Sequence, residues 1–430
     1  MSSSSARAGV VSFEEARRIV EDHAAKLMAE CRRSNQSEAL HLLEARGRVL
    51  SEAILADRDF PPFPRATRDG YAVRAADVES VPAHLELIGE IKAGESPESL
   101  GRFIKLDRGQ AVSIMTGAPL PAGADAVVMV EYTKAAGNKI EIERSVRSGE
   151  NFVPRAAEAR AGQILIERGR RLDHALIALT AAVGTVRLKV FRKPRVAVLA
   201  TGDEVVEIDS SPGPAQIRNS NTYSLATQIQ ETGAEPVRLP IAPDRPGRLR
   251  ELIEEGLKCD LLVITGGVSM GKYDLVEQVL SELHAEFYFT GARIQPGKPI
   301  VFGMAQKPLV ETRPASSCLR YFFGLPGNPV STMVTFRLFV QPIIAALAGA
   351  RPEPLVFLKA RLKSEIRTKT GLTRFLPAVI SGEFENAEVE LAAWQGSGDI
   401  AALACANCYL VIPPDRERID AGEWVSVLTG

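Results

Sequence analysis

Between Lys193 and about Ala348 short β-rich apolar runs alternate with helix-length amphipathic ones, and this alternation restricts the fold more than any other feature of the chain. The β-rich runs include "RVAVLATGDE", "EPVRLPIA", "DLLVITGG", "PIVFG" and "YFFGLPGNP". Between them lie "SNTYSLATQIQETGA", "RPGRLRELIEEGLK" and "DLVEQVLSELH", and a long helix runs to about Ala348. Strands followed by helices return the chain for parallel pairing and cover both faces of the resulting sheet. Residues 193–350 are therefore expected to form a three-layer α/β/α domain on a mostly parallel sheet.

The whole chain, 430 residues, is too long for one core; a prior of about one domain per 150 residues suggests roughly three. Ser12 and Glu15 have capping-box spacing, which predicts a helix to about Glu30. "EALHLLEARGRVLSEAIL" (38–55) continues in helical style as far as Gly47. Pro61, Pro62 and Pro64 then force an extended path and mark a boundary. From about 70 to 150, "HLELIGEI", "AVSIM", "AVVMV" and "KIEIE" alternate with Gly and Pro turns, the pattern of an all-β insert. "DHALIALTAAVG" (173–184) predicts a short helix stopped at Gly184. The reading is a multidomain α/β protein: a discontinuous helical N-terminal domain (1–57 and 152–192), a β-rich insert (58–151), the α/β/α domain (193–350) and a small C-terminal β domain (351–430).

With 45% apolar and 24% charged residues the composition is that of a folded globular protein. Fifty-two basic side chains stand against 53 acidic ones, so no basic excess points to nucleic acid as a partner. No apolar run was expected to reach the roughly 20 residues of a membrane span, and "MSSSSARAGVVSFEEA" lacks a signal-peptide core; a cytoplasmic protein is expected. The five cysteines fit a reducing compartment. Cys405 and Cys408 form a lone CxxC with no partner pair or nearby His, and "CANCYLVI" reads as the approach to a strand, so these thiols are taken as structural. His23, His41, His84, His174 and His284 lie in helical or strand-like runs, where packing or surface roles suit them. No Ser-His-Asp constellation is visible.

Open parallel sheets bind ligands outside the carboxyl ends of their strands. Three such ends carry unusual loops: "LATGDE", with Thr201, Asp203 and Glu204; "TGGVSMGKYD", with Gly266, Gly267, Ser269 and Asp274; and "GLPGNPVS", residues 324–331. Glycine lets backbone amides approach a ligand, and the helix starts that follow add unpaired N–H groups, so an anion such as phosphate is favoured. The P-loop pattern GxxxxGK[ST] is absent here, and no GxGxxG follows the first strand. Asp203, Glu204, Asp244 and Asp274 would repel a phosphate unless a divalent cation lay between, and Mg²⁺ takes one or two carboxylates plus phosphate oxygens. Lys298 in "IQPGKP" adds a cation. Each feature alone also has a plain reading: TGDE as turn and cap, TGGVSMG and LPGNP as turns, Lys298 as a solvated lysine. Their joint occurrence on one sheet favours a metal-bridged phosphate ligand, with catalysis by positioning, charge neutralisation and metal.

These residues resemble the molybdopterin molybdenumtransferases (MoeA-type, related to the C-terminal domain of gephyrin). The resemblance covers nearly the whole chain and rests on "RDGYAVRAAD" (68–77), "IMTGAPLPAGADAVV" (114–128), "LATGDE", "RNSNTYSL" (218–225), "TGGVSMGKYD", "PGKP" and "GLPGNPVS", in that order. It implies an elongated four-part subunit with a C-terminal β-barrel-like domain, a homodimer, and contacts with a molybdopterin adenylyltransferase and acceptor molybdoenzymes. It also implies that molybdate enters the dithiolene of adenylyl-molybdopterin in a Mg²⁺-dependent step that yields molybdenum cofactor and AMP.

By the same resemblance Asp69, Thr116, Asp274 and Lys298 are catalytic, with Asp69 and Thr116 reaching the cleft from the partner subunit's insert. Asp203, Asp244 and Asp274 would hold metal. Thr201, Gly202, Asp203, Glu204 and Asn221 would contact substrate, as would Gly266, Gly267, Ser269 and Gly297 and the loop residues Pro326, Gly327, Asn328 and Pro329. Molybdate would lie against Lys298, Ser331, Arg374 and Ser397; Arg, Lys and hydroxyl donors suit a tetrahedral dianion. The chain departs from the family at Gln295, where many members have Lys, at Ala157 and Ala159 in "RAAEAR", and in the irregular connection 306–320. Two other readings stay open: a scaffold that docks partner proteins, and an enzyme that adenylylates molybdopterin at the expense of ATP.

Overall fold

The computed structural model describes residues 9–34, 36–95, 105–267, 275–306 and 319–429. Six strands form the central sheet in the order Glu235–Arg238, Arg195–Ala200, Leu261–Thr265, Leu319–Leu325, Val301–Gln306, Glu286–Phe289. The first four run parallel, as the alternation predicts, and the last two pair antiparallel. The Glu286–Phe289 strand, hidden in a short aromatic stretch after a helix, was not anticipated.

Successive residues of a strand face opposite sides, and the two cores follow from this. Val196, Val198 and Val263 pack with Leu225 and Ile229 of the Asn221–Glu231 helix and with Val334 and Phe339 of the long C-terminal helix. Ala197, Leu199 and Ile264 face the other way, against Leu249 and Ile253 of Pro246–Gly256 and Val276 and Val279 of Leu275–Glu282. The stretch Pro329–Leu347 is long and apolar enough to cross a membrane, contrary to the expectation of no such run, but most of it is buried within this domain. Its middle turn, Phe336–Val340, is π-helical.

The N-terminal helix spans Phe13–Ser34, with the Ser12 hydroxyl accepting from the Glu15 amide at 3.1 Å. Its buried face, Phe13, Ala16, Val20 and Ala24, joins the core of the α/β domain, which corrects its expected place in the discontinuous unit. Correction is also needed at 38–47: Ser37–His41 is a strand, antiparallel to Arg187–Phe191, and Leu42–Ala45 is a 3₁₀ turn. Leu40 and Leu42, spaced by two, both pack beside Leu188 and Val190, so pairing overrides helix propensity. The predicted helix is present at His174–Ala182, capped by Asp173 and followed by Gly184 at φ +71°.

The insert is a six-stranded sheet in the order Ala126–Met129, Gly70–Val73, Gln110–Ile114, Ala83–Ile91, Lys139–Ile142, Thr133–Ala136. The C-terminal strands close a five-stranded barrel: Thr373–Ser381, Glu388–Leu391, Phe357–Leu362, Trp424–Thr429, Cys408–Ile412 and back to the first. Ile294–Gln295 from the α/β domain adds to this barrel in parallel, with Ile294 opposite Thr373 and Gln295 opposite Arg374. That ladder fixes the two domains against each other at the carboxyl edge of the central sheet.

Candidate functional site

Three strand exits converge on one cleft of about 350 Å³. Thr201 lines it from the first, Gly266 and Gly267 from the second, and Pro326, Gly327, Asn328 and Pro329 from the third. The convergence rests on short polar bridges between the loops. Asn221 Nδ2 donates to Thr265 Oγ1 at 2.9 Å and to the Gly327 carbonyl at 2.7 Å, so one amide spans two loops from the start of its helix. The Thr332 hydroxyl donates to the Pro326 carbonyl at 2.6 Å, and Thr201 N–H to the Thr265 carbonyl at 3.1 Å.

Two glycines are required by this closeness. Gly266 has φ +90°, and a Cβ on it would lie 2.5 Å from the Thr201 carbonyl oxygen. Gly267, at φ +64°, would meet Thr201 Cγ2 and Val276 Cγ2 at 2.9 Å. Without side chains here, backbone and ligand approach directly.

The carboxylates gather at the rim. Thr201 Oγ1 donates to Asp244 Oδ1 at 3.1 Å, and the Asp244 N–H donates to Asp203 Oδ1 at 3.1 Å. Both aspartates are exposed, and neither lines the cleft itself, whereas Glu204 does. Glu204 folds back so closely that a Cβ at Gly202 would meet its carboxylate at 2.5 Å. Ser269 and Asp274 lie outside the described residues. Among the described residues no three His, Cys, Asp or Glu side chains cluster as an all-protein metal centre.

A second cavity, about 870 Å³, adjoins the first, sharing Pro299, Pro326 and Asn328. Gly297, Lys298 and Ser331 line its α/β wall; Arg374 and Ser397 line the barrel wall. Among the described residues no Asp or Glu lines it. Arg374 is only 6% exposed, donates Nη1 to the Leu372 carbonyl at 3.1 Å and pairs with no carboxylate among the described residues. Burial lowers its pKa, since desolvation penalises the charged form. A guanidinium held this way favours an anion in the space before it. Asn328 Nδ2 donates to Ser397 Oγ at 2.8 Å, and Val330 N–H to the Ser397 carbonyl at 3.1 Å. Ser397 thus ties the barrel to a helix start and keeps its own hydroxyl proton for another acceptor.

Asp69 and Thr116 meet each other in the insert, both exposed, and neither lines either cavity of its own chain. Thr116 N–H donates to Asp69 Oδ1 at 2.6 Å. That bond, followed by one from the Thr116 hydroxyl, lowers the Asp69 pKa. Gly70 behind them has no room for a side chain, which would run into the Val128 carbonyl. Sequence reasoning missed Arg218 and Asn219 in the first cavity and Lys369, Thr370 and Trp394 in the second. "RNSN" carries a motif but no sign of which of its side chains face the cavity; "TKTG" has no signal until the barrel docks.

Family models of the MoeA N-terminal region (domain I and II), a probable molybdopterin binding domain and the MoeA C-terminal region (domain IV) match residues 11–184, 197–346 and 359–429. The chain is 36% identical over 401 residues to the molybdopterin molybdenumtransferase of a Nostoc species, covering 91% of this chain and 88% of that protein. Against the Bacillus subtilis molybdopterin molybdenumtransferase it is 31% identical over 417 residues, 95% and 93% of the two chains. The crystal structure of the molybdopterin biosynthesis moeA protein from Pyrococcus horikoshii superposes with a TM-score of 0.75 at 29% identity, covering 98% of this chain and all of that one. The chain therefore belongs to the MoeA family of molybdopterin molybdenumtransferases, transferases of molybdenum cofactor biosynthesis.

Proposed function

We propose that the protein inserts molybdate into the dithiolene of adenylyl-molybdopterin in a Mg²⁺-dependent step, forming molybdenum cofactor and releasing AMP. The observation that carries this reading is the pair of adjoining cavities with different linings. One is edged by glycines and helix starts beside two aspartates, which suits a diphosphate; the other has Lys298 and a buried Arg374, with no carboxylate paired to Arg374 or lining the wall among the described residues, which suits a tetrahedral oxyanion. Because they share Asn328 and its flanking prolines, one elongated substrate and one small anion fit side by side.

Asp203 and Asp244 fit a Mg²⁺ ion bridged to phosphate. They are joined through a backbone N–H, each retains an oxygen with no hydrogen bond among the described residues, and Mg²⁺ takes one or two carboxylates when substrate phosphates complete its shell. Bound there, the ion would neutralise the diphosphate and stabilise charge on the departing AMP. Asp274 is proposed as the third acidic ligand. Arg374 and Lys298 hold the oxyanion, with Ser331 and Ser397 donating hydroxyl protons to it. Asp69 and Thr116 close the cleft from the partner subunit in a homodimer; their exposure at the surface of the insert supports a role outside their own chain.

Purified protein given Mg²⁺, molybdate and adenylyl-molybdopterin should release AMP, and Arg374→Ala should lower that rate by about a hundredfold, the size expected for loss of one charged contact. Absence of AMP from the unsubstituted protein sinks the assignment. Consumption of ATP with molybdopterin alone would move it to the adenylylation step.

A further inference from the structure

We infer that Lys369, on the barrel side of the second cavity, is an additional anion-binding residue that sets affinity for the tetrahedral dianion; this rests on the oxyanion reading above. Lys369 lies on the turn that leads into Thr373–Ser381. The turn is held from both ends: Thr368 N–H donates to the Glu417 carbonyl at 2.8 Å and Gly371 N–H to the Pro414 carbonyl at 2.6 Å. Its ammonium is therefore delivered from a fixed backbone, which limits the entropy lost on binding.

Charge makes the argument specific. Lys298, Lys369 and Arg374 line one cavity, and among the described residues no carboxylate lines its wall and none pairs with Lys369. Two neighbouring cations of the same barrel are neutralised: Arg416 pairs with Glu423 and Arg418 with Asp420. Three cations facing one space, one of them buried and none paired with a carboxylate among the described residues, raise the local positive potential and favour an anion between them. Arg374 supplies a directional contact from inside; Lys369 and Lys298 are exposed and stand on opposite walls, one from each domain. Gln295 lines the same cavity and lies opposite Arg374 in the parallel ladder. A neutral amide there leaves room for a further cationic contact, beside those of Arg374 and Lys298, to come from the barrel turn.

The test is equilibrium binding of molybdate to the full chain, at low and at high salt. Lys369→Ala should weaken molybdate binding about tenfold at low salt, the scale of one charge-assisted contact. The loss should shrink at high salt, and the thermal unfolding midpoint should stay unchanged. Lys369→Arg should keep most of the affinity. Adding Gln295→Lys to Lys369→Ala should regain it, because the cation returns to the same space from the facing wall; a merely structural lysine would not be rescued this way. If Lys369→Ala binds as well as the unsubstituted protein while Arg374→Ala does not, the Lys369 inference is overturned and the oxyanion reading stands. If the unsubstituted protein binds no molybdate, or Arg374→Ala binds it equally, both fall.

Discussion

Asn221 joins two of the strand exits through one amide, donating from Nδ2 to the Thr265 hydroxyl and the Gly327 carbonyl. The arrangement gives substitutions there a definite order. Asn221→Ala deletes two hydrogen bonds worth about 1 kcal/mol each, enough to loosen the Gly327 loop without unfolding the domain. Asn221→Asp keeps the size but turns an oxygen toward the Gly327 carbonyl and adds negative charge beside the proposed phosphate cleft. AMP affinity should therefore fall from the unsubstituted protein to Asn221→Ala and further to Asn221→Asp, measured by competition with a fluorescent nucleotide. Equal affinity for all three would remove Asn221 from the site. Not every residue singled out in the sequence has such a role. Cys408 is buried, donates Sγ–H to the Ala378 carbonyl at 3.3 Å and has its thiol pKa pushed up by burial to about 11. A thiol so reluctant to ionise is a poor ligand or nucleophile, which agrees with the structural reading for Cys408, while Cys405 is exposed.

At the scale of the element, the two glycine loops differ in what they demand of glycine. Gly266 combines φ +90° with a Cβ position 2.5 Å from a backbone oxygen, so Gly266→Ala must push apart the exits of the adjacent Arg195–Ala200 and Leu261–Thr265 strands. Gly327 has ordinary φ, and its Cβ would come no nearer than 3.6 Å to the Gly266 Cα. Gly266→Ala should lower stability by about 1–3 kcal/mol and abolish AMP binding, whereas Gly327→Ala should melt close to the unsubstituted protein; differential scanning calorimetry with and without AMP separates the two. The same contrast explains what was legible in the sequence. Apolar strands ending in glycine announce themselves, because an exit loop without a side chain is rare outside a close approach. Ser37–His41 did not, because the Glu38-Ala39-Leu40 centre of "SEALH" consists of good helix formers and becomes a strand only when Arg187–Phe191 arrives from far along the chain.

Across the whole molecule, the sequence exposed the parts and concealed their docking. The glycine loops were readable because each is local, while Lys369, Thr370 and Trp394 meet Lys298 only through the Ile294–Gln295 addition to the barrel, a register no periodicity encodes. Trp394 packs against both the α/β core and the barrel core, so that docking is part of folding. The insert, by contrast, has hydrophobic cores of its own on the two faces of its sheet. This leaves Asp69 and Thr116 on a unit that lines neither cavity of its chain, and the proposed homodimer has a sharp consequence. Each composite site would take Asp69 from one subunit and Arg374 from the other. Asp69→Ala and Arg374→Ala homodimers should both be inactive. Refolding the two chains together at equal concentration should restore activity, because a mixed dimer has one site with both substitutions and one with neither. With random pairing about a quarter of all sites are intact in a two-fold dimer, so AMP release should recover to about that fraction of the unsubstituted rate. Were both residues to serve one site within a single chain, mixing would restore nothing, and the cross-subunit arrangement would be abandoned.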